Sequence, residues 1–181
     1  MILIILGVLL WSGAHLFKRL APDARANLGD KGRGLVAILS ILAIVLMVIG
    51  YRGASGPVFW ERTAPLAGIN NLLMLFAFYL FAASGLKTRI TSKIKNPQLT
   101  AVKVWAFAHL LVNGALEDIL LFGGMLAWAV VTVIVLKRSG EQPEPAPAVN
   151  TGNEIKAVVG SAGLTIVVMG VHAWLGATPW G

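Results

Sequence analysis

Six apolar runs, at about 1–17, 34–51, 66–86, 98–114, 117–136 and 156–175, alternate with short stretches that hold most of the charge. Each run is near the length of about 20 residues that an α-helix needs to cross a hydrocarbon core of about 30 Å, the first and fourth being short. A backbone in lipid must satisfy its own amides, which leaves helices or a closed barrel. The alternating strands of about ten residues that a barrel requires are missing. The pattern therefore predicts an all-α protein: a polytopic bundle of six transmembrane helices forming one membrane domain over residues 1–181.

Composition agrees with that reading. Of the 181 residues 57% are hydrophobic and 13% charged, with a mean hydropathy of +0.78. Soluble domains carry about a quarter charged residues. The formal charge of +7 reads as membrane orientation and not as nucleic-acid binding, because it sits between the spans. Twelve basic residues fall in three alternate loops: Lys18, Arg19, Arg25, Lys31 and Arg33; Lys87, Arg89, Lys93 and Lys95; Lys137, Arg138 and Lys156. The opposite loops hold only Arg52 and Arg62, and Lys103 lies within the fourth run. The positive-inside rule then makes the basic loops cytoplasmic and places both termini outside. The first run has no preceding positive residue and no small-x-small cleavage site, so it is expected to stay as a span. Residues 139–153, SGEQPEPAPAVNTGN, read as an extended, flexible cytoplasmic linker.

The candidate chemistry is narrow. With no cysteine, thiolate metal sites, iron–sulfur clusters and cysteine nucleophiles are excluded. Three histidines remain, His15, His109 and His172, each within a predicted span. Ionisable groups inside a bilayer are costly and mark functional hypotheses. At 1.5 Å per residue, His15 lies about 20 Å from the outer edge and His109 about 15 Å from the cytoplasmic edge, both near the midplane. His172 lies about 23 Å from the cytoplasmic edge, toward the outside. Trp105, His109 and Asn113 follow i, i+4, i+8 and share one face of the fourth run. Trp11 and His15 repeat the pair on the first run; Ser161, Thr165 and His172 share a face of the last.

Two neutral imidazoles on facing helices can clamp a haem axially within an apolar bundle. Lys18, Arg19, Arg25 or Lys103 can then pair with haem propionates. Each histidine can equally be an interhelix hydrogen bond, worth about 0.6 kcal/mol on average and up to about 2. The residues alone leave both readings open. Glu117 and Asp118 open the fifth run as helix-dipole caps or a carboxylate pair. Asn70 and Asn71 cap the third run or bond across helices. No P-loop, dinucleotide glycine pattern, nucleophile elbow or HExxH is present.

Three blocks resemble the NnrU family: HLFKRLAPDARANLG (His15–Gly29), NPQLTAVKVWAFAHLLVNG (Asn96–Gly114) and LLFGG (Leu120–Gly124). That family comprises bacterial multi-pass membrane proteins associated with denitrification genes. Its domain is similar to plant zeta-carotene isomerase, an integral membrane enzyme that uses haem b with histidine ligands. The resemblance implies haem b held by His15 and His109, with Trp105, Asn113 and Gly114 around the second; His172, which matches no family position, is the alternative ligand that the residues themselves offer. It implies a bacterial inner-membrane protein that supports nitrite and nitric oxide reduction beside a redox or reductase partner. A haem-dependent isomerase of a lipophilic polyene is the alternative, and a cofactor-free membrane scaffold is the third reading. The family often shows His-Pro where this chain has Asn96–Pro97.

Overall fold

The computed structural model describes residues 1–140 and 151–180. Among them the chain is helical: α1 (Ile2–Leu20), α2 (Pro22–Asn27), α3 (Lys31–Arg52), α4 (Ala64–Leu86), α5 (Ile90–Lys93), α6 (Pro97–Val112), α7 (Leu116–Ser139) and α8 (Thr151–Trp174). The six long helices correspond to the six apolar runs. Five of them are long and apolar enough to cross a membrane. The other, α6, has 16 residues and reaches only about 24 Å.

Local chemistry sets these bounds. Proline opens α2 and α6 and lies in the first turn of α4, where a missing amide proton costs nothing. Lys18 and Arg19 sit in the last turn of α1, against the negative end of its dipole. Helix α6 stops at Asn113, whose backbone is extended (φ −127°, ψ 107°). The next residue, Gly114, is pressed against the loop before α4: a Cβ there would lie 2.2 Å from the carbonyl oxygen of Trp60. Two backbone bonds fix this contact, Phe59 N–H to Gly114 O (2.8 Å) and Leu116 N–H to Pro57 O (3.0 Å). Trp60 adds its indole N–H to Leu110 O at 2.9 Å.

Of the predicted linker 139–153, residues 141–150 lie outside the described residues, and Thr151–Asn153 are already helical in α8. The first turn of α8 is anchored, which accounts for its early start: Asn153 Nδ2 donates to Leu86 O at 3.0 Å, and Glu154 accepts the Arg89 amide at 2.6 Å.

The core lies between α1, α3 and α7, where Ile4, Val8, Leu16, Ala43, Met47, Met125, Trp128 and Ala129 are buried. Small residues bring α1 and α3 together, as expected for helices that gain no hydrophobic drive from lipid. A Cβ on Gly7 would meet Met47 Cγ at 2.6 Å and Ala43 O at 2.8 Å. Outward faces are apolar on helix after helix, with Leu9, Ile38, Ile41, Leu72 and Ile166 each more than 60% exposed. Such a surface suits lipid and not water.

Candidate functional site

Each of the three histidines is oriented by its own helix. His15 Nδ1 lies 2.9 Å from Trp11 O, His109 Nδ1 3.0 Å from Trp105 O, and His172 Nδ1 2.8 Å from Val168 O. A carbonyl oxygen only accepts, so each contact suits the tautomer with the proton on Nδ1 and the lone pair on Nε2. Fixing one ring nitrogen in this way is how proteins set the tautomer of a metal-binding imidazole.

The structure brings His109 and His172 together. Their ring centroids are 6.5 Å apart, and both line a cavity of about 360 Å³ between α4, α6 and α8. Met74, Phe78, Val112, Val168 and Met169 form its apolar wall; Asn70, Asn71, Asn113, Thr165 and Arg62 are its polar members. The segment Gly176–Pro179 folds back to line one side. Asn113 also braces α6 by donating from Nδ2 to His109 O at 2.9 Å.

His15 stands elsewhere. Its ring stacks on Trp11 at 4.0 Å and meets the edge of Trp128 at 5.4 Å. It lies five residues from the basic end of α1, whereas His109 lies three residues from the opposite end of α6. Counting from the basic end, the two differ in depth by about 10 Å. Their neighbours on α7 agree: Trp128 and Phe122 are six residues, about 9 Å, apart. The indole N–H groups of Trp11 and Trp128 are buried without a hydrogen-bond partner.

Four residues of the site carry no clear signal in the sequence. Phe122 is 7% exposed and stacks on His109 at 4.6 Å and 28°. It belongs to a π-helical turn, Ile119–Gly123, inside α7; such turns insert one residue and shift the register of the rest of the helix. The LLFGG block contains it, but hydropathy cannot show the turn. Trp105 completes the group, 5.3 Å from His109 and 5.2 Å from Phe122. Arg62 reads in sequence only as a loop charge, and Met74 and Met169 as span residues. Asn71 bonds across the chain, donating to Pro179 O at 3.0 Å.

The acids at the start of α7 act within the fold. Asp118, 5% exposed, accepts the Tyr51 hydroxyl at 2.5 Å and the Ala115 amide at 2.9 Å. Glu117 accepts the Gly56 amide at 3.0 Å. Among the described residues no three or more His, Asp or Glu converge into a metal-binding group. Two imidazoles facing one cavity are the set that remains.

The family model for NnrU protein matches residues 3–179. The chain belongs to the NnrU family. The match covers both histidine clusters, the π-turn and the segment over the cavity. No curated protein matches the chain, and no solved structure does.

Proposed function

We propose that this NnrU-family protein is a multi-pass protein of the bacterial inner membrane that binds haem b through His109 and His172 and supports nitrite and nitric oxide reduction. The observation that carries the reading is the pair itself: two imidazoles with Nδ1 committed to a helix carbonyl, lining one cavity. A macrocycle brings metal ligands of its own, so two imidazoles would suffice where a bare ion would need further side chains. The two rings, with centroids 6.5 Å apart, are the residues that would hold the group. The cavity volume falls within the range of about 300–1,000 Å³ typical of small-ligand sites. The donor set fits the group.

Bound haem would supply one-electron and nitrogen-oxide-binding chemistry. The protein's own part is to hold each histidine by Nδ1, keep water from the apolar wall and seat the site near one face of the bundle. His15, the partner implied by resemblance, is the runner-up ligand; its distance in depth from His109 favours His172. The connection to nitrogen-oxide reduction rests on family membership. Protein purified from haem-replete cells is expected to show a Soret band and haem b by pyridine haemochrome assay. A colourless protein from such cells overturns the reading.

A further inference from the structure

Among the described residues that line the cavity, Arg62 is the one permanently charged side chain and no carboxylate side chain is present. Lys18, Arg19, Arg25 and Lys103, the basic residues that the sequence offers as propionate partners, are not in its lining. Arg62 Nη1 donates to the carbonyl of Thr178. A neutral carbonyl is a modest acceptor for a guanidinium, whose planar fork matches a carboxylate with two charge-assisted bonds.

That bond also helps to hold a strap. After α8 ends at Trp174, Gly176 takes φ +91° and the chain turns back across the cavity. Among the described residues four hydrogen bonds retain it: Arg62 to Thr178 O, Asn71 Nδ2 to Pro179 O, Ala177 N–H to His172 O and Gly176 N–H to Ala173 O. Gly176, Ala177 and Thr178 are exposed, so little apolar burial adds to them. A segment held mainly by exposed polar bonds sits at the low-stability end of a structure.

We infer that Arg62 is the acid-binding residue of this cavity, and that taking a ligand carboxylate makes it release Thr178 and loosen the Gly176–Pro179 strap. The inference rests on the haem reading, in which the acids are the haem propionates. A ligand with an apolar body and an acid edge matches a cavity with apolar walls and a single cation. Ligand binding and strap closure then compete for one guanidinium.

The test compares haem b with its dimethyl ester, which keeps the iron and the macrocycle but has no carboxylate. Full-length protein from haem-limited cells is titrated with each in detergent, against a micelle blank, by Soret absorbance. A charge-assisted pair predicts that wild type binds the free acid about 10- to 100-fold more tightly. Arg62→Gln should remove the preference for the free acid over the ester, and binding of the ester by this variant reports that it is folded. Arg62→Lys should keep part of it. Amide exchange at Ala177, whose N–H is held by His172 O, should quicken with the free acid and not with the ester. Equal binding of both forms by wild type, or a preference that survives in Arg62→Gln, overturns the Arg62 assignment and leaves the haem reading standing. A Soret band that does not differ from the micelle blank with either form overturns both. The wild-type comparison decides the point even if Arg62→Gln fails to fold.

Discussion

Phe122 stacks on His109 with ring centroids 4.6 Å apart and planes 28° from parallel. The π-turn Ile119–Gly123 places it there. One face of the imidazole is thus braced by a buried ring, while Nδ1 is held by Trp105 O at 3.0 Å. Together these restraints leave the His109 ring little freedom to turn.

Phe122→Ala is therefore expected to act twice. Removing a buried phenyl costs about 3–5 kcal/mol, read as a lower thermal midpoint in detergent. It should also broaden or shift the haem bands by freeing His109. Phe122→Leu should recover most of the stability and less of the spectrum. Identical spectra for all three proteins would contradict the bracing role.

Tyr51 and Asp118 join α3 to the start of α7 through a 2.5 Å hydrogen bond. Tyr51→Phe removes one donor from a buried carboxylate whose other donor among the described residues is the Ala115 amide at 2.9 Å. The expected loss is about 1–3 kcal/mol, with haem content unchanged in protein that remains folded. A fully stable variant would argue against a structural role for the pair.

Gly114 allows the closest approach in this part of the fold. Gly114→Ala would force a Cβ to within 2.2 Å of Trp60 O and should cost about 1–3 kcal/mol through overpacking. Gly13→Ala, where a Cβ meets nothing within 4 Å, is the control and should be near neutral. Equal midpoints for the two variants would show that the Trp60 contact relaxes freely.

Much of this architecture was legible in the sequence, because hydropathy reports directly on which segments enter lipid. The fourth run, about 98–114, lies within two residues of α6 at either end. Helix adjacency was not legible: lipid-facing and helix-facing apolar residues look alike, so nothing in the runs set His172 beside His109. The depth of His109 was also sensitive to the end of α6, since a helix of 16 residues leaves it one turn from the tip instead of at the midplane. Phe122 depended on a π-turn, and Arg62 and Asn71 on a returning strap. Both features arise from tertiary packing.

Orientation has a direct test because the chain lacks cysteine. Ser55→Cys lies in the loop before α4 and Ser92→Cys in the basic loop before α6; both positions lie outside the long helices. A membrane-impermeant maleimide applied to spheroplasts should label the first and not the second. The reverse pattern would invert the protein in the membrane.

The most direct measurement is the reduced and oxidised absorption spectrum of wild type beside His15→Ala, His109→Ala and His172→Ala. Haem held by His109 and His172 predicts that each of those two substitutions alters or abolishes the Soret and α/β bands, while His15→Ala leaves them as in wild type. Loss with His15→Ala and a wild-type spectrum for His172→Ala would contradict the account and return the iron to the His15–His109 pair.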